Sequence, residues 1–303
     1  MRSAGKQSST PLNGTPAAEH VIDEALVSRL LAEQHPDLAS LPLSKADAGW
    51  DNELFRLGDR LAVRLPRRAL AARLIEHEQR WLPIIAPALP LPVPAPYRKG
   101  MPSHGYPWCW SVVPWLDGVG ADTCEPDPAQ AQELGKFLSE LHVPAPADAP
   151  TNPFRGVPLK ERATSVMGAM ERLASRTELI PKRIRETWNE ALSAPVATQR
   201  VWVHGDLHPR NVLVRDGVIS GVIDWGDVNA GDAATDLASS WMLFECPSAR
   251  DALAAAYGKG DPAAWARAKG WAVLFGIMFL ETGLVDHPRH AEIGARILRR
   301  VLD

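Results

Sequence analysis

The apolar pattern divides the chain into a first stretch that mixes helical and strand periods and a second dominated by helices. Val21, Leu26, Leu30 and Leu31 follow helical spacing and predict a helix that stops at His35-Pro36. A hairpin turned at Gly58-Asp59 comes next; in its second strand Leu61, Val63 and Leu65 face one way, Ala62 and Arg64 the other. Residues 69–85 read as a helix whose inward stripe is Leu74, Glu78, Trp81 and Ile85. A carboxylate on such a stripe needs a partner, and Arg64 is the natural one. Glu76 is a rival on another face. The alternating prolines from Pro90 to Pro96 make an extended, polyproline-like connector, and residues 108–118 form a strand running into a turn.

Beyond about residue 117 the helical period takes over. Asp127-Pro128 reads as an N-cap followed by proline at the first helical position, opening a helix with Leu134, Phe137, Leu138 and Leu141 on one side and His142 at its end. Residues 143–158 are a loop, in which Arg155 reads as a solvated arginine with substrate or phosphate contact as the alternative. Helical signals over 159–194 break near Ile180-Pro181. Asp232 can cap a helix bearing Leu237, Trp241 and Phe244, and further helices cover roughly 248–258, 261–285 and 287–302. The most apolar window, from Trp271 to Leu280, reads as a buried helix too short to span a bilayer.

Between these helices the pattern changes to short strands with polar ends. A strand at 201–203 leads through a polar loop to two strands joined at Asp216-Gly217, a dipeptide suited to positive φ. His204, Asp206 and His208 follow the first strand, Asn211 precedes the second and Asp224 ends the third, so folding gathers them at one edge. Two carboxylates and an amide suit a divalent cation together with a proton acceptor. Asp224 and Asn211 can offer hard oxygens to Mg²⁺, which leaves Asp206 as the base. The His-x3-His spacing of His204 and His208 admits a zinc hydrolase, but Pro209 opposes a helix there and Asn211 would have no role. An ordinary hairpin with polar ends is the plain alternative.

His204-x-Asp206-x4-Asn211 resembles the kinase catalytic loop, and Asp224-Trp225-Gly226 resembles its metal-binding D-F-G segment. The wording His-Gly-Asp-Leu-His-Pro-Arg-Asn, then Ile-Asp-Trp, Gly231-Asp232 and Asp236-Leu237, is similar to the aminoglycoside phosphotransferase family of small-molecule kinases, over residues 45–240. That resemblance implies an α+β, two-lobed protein-kinase-like fold, with a small β-rich nucleotide-binding lobe at 18–116 and a larger, mainly helical catalytic and substrate-binding lobe at 117–303. It implies transfer of the γ-phosphate of ATP or GTP to a hydroxyl, with Asp206 as base and Mg²⁺ on Asn211 and Asp224. Arg64, oriented by Glu78, would stand where the family more often has lysine, and Ala62 would admit the base, whose edge would be read near Val113, Trp115 and Leu116. Trp115 reads equally as packing, and Arg64 as an edge-strand arginine. His204 would order the loop, and Asp232 and Asp236 would hold it through backbone hydrogen bonds. No G-x-G-x-x-G loop precedes the Arg64 strand; Gly49-Trp50-Asp51-Asn52 occupies its place. The acceptor implied first is an aminoglycoside antibiotic, hence antibiotic resistance, with Glu245, Asp286 and Glu292 as acids that could attract it. Val63-Arg64-Leu65-Pro66-Arg67-Arg68 is similar to macrolide phosphotransferases, and a metabolite kinase for an amino alcohol or sugar, or a nucleotide-binding pseudokinase, are the further alternatives.

Composition narrows the setting. The 303 residues are 46% hydrophobic, enough for a sizeable core, and the net charge of -3 gives no basic footprint for nucleic acid. Three cysteines without a CxxC pair fit a reducing, cytoplasmic setting. Residues 1–17 have the small polar character of a disordered tail and lack the apolar core of a signal peptide. No membrane partner is expected, and a monomer is the default.

Overall fold

A computed structural model of the chain describes residues 18–48, 51–285 and 287–303; the expected tail at 1–17 lies outside them. Helix α1 (Glu24–Gln34) starts at Asp23, whose carboxylate accepts the Leu26 N–H at 2.8 Å. Val21 falls before that cap and is exposed, so the buried stripe is Leu26, Val27, Leu30 and Leu31 rather than the one expected. Strands β1 (Leu43–Ala48), β2 (Asn52–Leu57), β3 (Leu61–Pro66), β4 (Arg98–Gly100) and β5 (Trp110–Pro114) form one antiparallel sheet in the order β1-β2-β3-β5-β4. The β2–β3 hairpin turns at Gly58, which has φ 59°. The two edge strands, β1 and β4, were not expected. Both are short and carry charged residues, as sheet edges tend to, and neither shows a clear alternation.

The sheet has two unlike faces. Phe55, Val63, Leu65, Trp110 and Val112 pack with α1 into a small core. Ala62 and Arg64 point the other way, into a cleft. Helix α2 (Ala69–Ile85) runs from the sheet into the larger core, where Trp81, Leu82 and Ile85 are buried with residues of the helical part. The helix therefore ties the two bodies together with Glu78 at its middle. The proline connector is extended as expected and is pinned by Val222 N–H to Pro92 O at 2.9 Å.

The second body comprises β6 (Val119–Gly120), α3 (Gln130–Leu141), α4 (Leu159–Ala174), α5 (Lys182–Ser193), β7 (Val201–Val203), β8 (Val212–Arg215), β9 (Val218–Val222), β10 (Asn229–Gly231), α6 (Ala234–Leu237), α7 (Ser239–Leu243), α8 (Pro247–Tyr257), α9 (Pro262–Gly283) and α10 (Pro288–Leu302). Helix α3 begins two residues later than Asp127-Pro128 implied, and the Asp127 side chain does not cap it. The Asp127 N–H bonds to Gly217 O at 2.8 Å and its carboxylate covers Gly217, so the apparent cap is spent on the β8–β9 turn. That turn has φ 51° at Asp216 and 78° at Gly217, the geometry its dipeptide favours. The single helix expected after Asp232 is two short ones, α6 and α7, with Leu237 and Phe244 buried and Trp241 half-buried.

Helix α9, at 22 residues, fills most of the 261–285 span expected for it and contains the apolar window Trp271–Leu280. By length and composition it could cross a membrane, yet 67% of its most apolar 18-residue stretch is buried inside the protein. It forms the spine of the helical body against α10, α5, α4 and α6.

Candidate active site

A cleft of about 730 Å³ runs between the Ala62–Arg64 face of the sheet and the floor made by the loop after β7 and the end of β9. The floor is held from below. The buried Asp236 carboxylate accepts the backbone N–H groups of His204 at 2.6 Å and Gly205 at 2.9 Å, a small anion nest in which successive amides converge on one charge. Gly205 has φ 85°, and a Cβ there would lie 2.8 Å from Asp227 O, so only glycine allows this turn. His142, at the C-terminus of α3, supports Asp236 at 3.3 Å and reaches Tyr257 Oη at 3.0 Å. Asp232 does not touch the loop as expected. It pairs with Arg267 at 2.6 Å and accepts the Ala234 N–H at 3.0 Å.

His204 uses both ring nitrogens on backbone. Nδ1 accepts the Asp206 N–H at 3.2 Å and Nε2 donates to Ile223 O at 3.0 Å, while burial lowers its pKa. It therefore orders the loop and has no nitrogen left for zinc. Among the described residues no group of three His, Cys, Asp or Glu is placed to hold a metal.

Asp206 is held at both oxygens. Oδ1 accepts from Arg155 Nη2 at 2.9 Å; Oδ2 lies 3.3 Å from His208 Nε2 and 3.4 Å from Asn211 Nδ2. His208 Nδ1 accepts the Arg210 N–H, which leaves its proton on Nε2, facing the carboxylate. Burial alone would push the Asp206 carboxyl up, but its interactions with His208 and the Arg155 guanidinium outweigh it and hold the group below the ordinary carboxylate range. Arg155 is thus not the solvated arginine the loop composition implied. Its backbone N–H is fixed by Asn152 Oδ1 at 3.1 Å, and its guanidinium stacks 4.8 Å from the Phe275 ring centre on α9. Nothing in a proline-rich loop marks a partner that lies on another element.

Asn211 donates its amide N–H to Asp206 O at 2.9 Å, which leaves the amide oxygen as its free end. Asp224 sits at the end of β9 with φ 62°, an unusual backbone for a non-glycine residue, and is half exposed to the cleft. After it, Trp225 is buried 4.7 Å from the His204 ring, and Gly226 packs so tightly on α2 that a Cβ would lie 2.9 Å from Leu74 Cβ. Arg64 bridges the two bodies: Nη1 is 2.6 Å from Glu78 Oε2 and Nη2 is 3.3 Å from Asp224 Oδ1. Glu76, the rival partner, is exposed. Burial raises the Glu78 pKa, and Arg64 opposes that shift.

At the other end of the cleft Ala62, Val113, Trp115 and Leu116 line the wall with Leu213 and Ile223 below. Trp115 N–H bonds to Arg60 O at 2.8 Å, so by the alternation of an antiparallel ladder the Pro114 carbonyl and Leu116 N–H face away from β3. The Trp115 ring is stacked by Arg56 at 4.3 Å and its Nε1–H bonds to Asp117 at 2.9 Å. Asp51 and Asn52 line the roof, with Asp51 paired to Arg68; Gly49 and Trp50 lie outside the described residues.

Asp227, missed in the sequence, also lines the cleft. Burial pushes its pKa up to about 6, with Asp206 and Asp224 adding to the shift. Its Oδ1 accepts from Asn152 Nδ2 at 2.6 Å. The Asp-x2-Asp spacing after Ile-Asp-Trp was the available signal. Of the acids expected at the acceptor end, Glu245 and Glu292 are exposed and not part of the cleft lining, and Asp286 lies outside the described residues.

A small antiparallel sheet over a mainly helical body, with this cleft between them, is the architecture of protein-kinase-like phosphotransferases. Residues 42–271 match the model of the phosphotransferase enzyme family described as APH, and the chain belongs to that family. Aminoglycoside 2'-phosphotransferase-IIIa, solved as its GDP complex, superposes with a TM-score of 0.67 at 20% identity over 92% of this chain and 98% of its own. A macrolide 2'-phosphotransferase of Brachybacterium faecium gives 0.60 at 22% identity over 90% and 97%. An aminoglycoside 3'-phosphotransferase of Escherichia coli is 39% identical over 70 residues; that match spans 22% of this chain and 26% of the relative's length.

Proposed function

We propose that this protein transfers the γ-phosphoryl group of ATP or GTP to a hydroxyl of a small molecule. The observation that carries the reading is that Asp206, Asn211, Asp224 and Arg64, drawn from two bodies, all face one cleft. The names of the relatives, which include GDP and ATP complexes, support the nucleotide.

In this reading the base lies between Ala62 and Val113 above and Leu213 and Ile223 below, with its edge toward the Pro114 carbonyl and the Leu116 N–H. Arg64 faces the phosphates, and Glu78 fixes its direction. Asn211 and Asp224 would hold Mg²⁺: one free amide oxygen and one half-exposed carboxylate are the sparse, hard donor set that ion prefers from protein. When bound, the ion would neutralise charge on the phosphates. Asp206, ionised at neutral pH, accepts the hydrogen bond of the acceptor hydroxyl and takes its proton as transfer proceeds. A carboxylate held below its ordinary pKa is a weak base, which suits a loose transition state that needs positioning more than proton abstraction. Arg155 and His208 are the positioning residues that set the Asp206 rotamer.

The test is release of ADP or GDP in the presence of Mg²⁺ across aminoglycosides, macrolides and amino alcohols. Acceptor-dependent release supports the proposal. Tight nucleotide binding with no release for any acceptor would favour a pseudokinase instead.

A further inference from the structure

We infer that the acceptor is a largely apolar hydroxyl compound carrying no more than one cationic group, in preference to a polycation. The inference rests on the phosphotransferase reading above and concerns the wall beyond Asp206. Contacts trace that wall outward from the reacting carboxylate. The Arg155 guanidinium lies on Phe275, with Nη1 3.7 Å from Met278 Sδ. The His208 ring is 5.0 Å from Phe279, whose ring is 5.3 Å from His290, and His290 Nε2 is 2.7 Å from Arg210 Nη1 at the exposed rim. Two aromatic rings and a thioether from α9 thus flank the position of an acceptor hydroxyl, and a cation closes the rim. Burial, with Arg210 nearby, pushes the His290 pKa down to about 4, so that ring is neutral in neutral solution and adds to the aromatic surface.

The acids tell the same story. Among the described residues of the cleft the carboxylates are Asp51, Asp206, Asp224 and Asp227. Asp51 is paired with Arg68, Asp224 with Arg64 and Asp206 with Arg155, while Asp227 accepts from Asn152. None comes from α9 or α10. Each ammonium of a polycation that enters must exchange its water for an anion or a carbonyl, and this wall offers Arg210 instead. An apolar ring system loses little hydration there and gains in proportion to the apolar surface it removes from water.

The experiment measures ADP or GDP release by the full chain with kanamycin and gentamicin as polycations and a macrolide as the apolar, singly charged acceptor. Nucleotide binding by titration is followed separately. The expected result is a kcat/KM about tenfold or more in favour of the macrolide. Arg210→Glu, at an exposed position, should move that ratio about tenfold toward kanamycin through its KM while the nucleotide KM stays put. A higher kcat/KM for kanamycin or gentamicin overturns the inference and leaves the phosphotransferase reading standing, and so does an unchanged ratio in Arg210→Glu. Nucleotide binding without stimulation of release by any of the three compounds overturns the acceptor assignment. Failure to bind nucleotide at all removes the phosphotransferase reading itself.

Discussion

The floor of the cleft and its far wall place comparable chemistry by different means. Asp206, Asn211 and Asp224 come from one strand-loop-hairpin unit, and their spacing is set by the β8–β9 register and by a nest of backbone amides on Asp236. Arg155, Phe275, Phe279 and His290 come from a loop and two helices distant in sequence, and they meet only because α9 packs alongside the floor. The floor is therefore rigid by local design. The wall is specified by tertiary packing and is free to differ among proteins that share the floor.

The sharpest way to break this division is to remove the floor's central group. Asp206→Ala should lower turnover by about 10³-fold or more, while nucleotide affinity changes little, because in the proposed function Asp206 is the base on the acceptor side of the phosphates. Rates from acceptor-stimulated ADP release and affinities from nucleotide titration check this. An active variant would remove Asp206 from the chemistry. Next comes the link between floor and wall. Arg155→Ala should reduce kcat by about 10²-fold, with Arg155→Lys recovering part of it and the nucleotide KM unmoved in both. The pH profile adds a second readout: without the arginine's charge the Asp206 pKa rises, so the acid limb of kcat should move to higher pH. A change confined to the melting temperature would make Arg155 structural only.

On the donor side, Glu78→Gln leaves the Arg64 guanidinium without its 2.6 Å partner. The nucleotide KM should rise about tenfold with a smaller change in acceptor KM, the reverse of the Arg155 pattern. Equal effects on both substrates would erase the proposed split of the cleft. The smallest expected effect is at Asp227. Its carboxyl is raised from the ordinary value to about 6 in the fold, so its contribution to stability is full below pH 4 and is lost as pH rises from about 4 to 6. Asp227→Asn should therefore be more stable than the parent protein above pH 6, by on the order of 1–2 kcal/mol, and similar to it near pH 4. Thermal melts at the two pH values decide it, and an identical difference at both would mean that Asp227 does not titrate in this range.

The same contrast explains what could be read from the chain. The His204, Asp206, Asn211 and Asp224 spacing was legible because one short stretch contains it, and the helix at 69–85 and the Arg64–Glu78 contact followed from periodicity plus the cost of an unpaired buried charge. Edge strands β1 and β4 escaped because runs of three to six residues of mixed polarity are too short to show a period. Arg155 escaped because exposure was inferred from loop composition, whereas its burial is decided by Phe275 and Asp206, far away in sequence. Glu245 and Glu292 were plausible cleft acids by helix membership alone, yet the packing of α7, α8 and α10 leaves them on the exterior.

Crystals grown with Mg²⁺ and a non-hydrolysable ATP analogue test the central claim most directly. The expected result is a terminal phosphate between Arg64 and Asp206, with metal density on Asp224 and the Asn211 amide oxygen and the nucleotide base against Val113 and Leu116. Nucleotide bound outside this cleft, or metal held by other side chains with Asp224 and Asn211 unengaged, would contradict it.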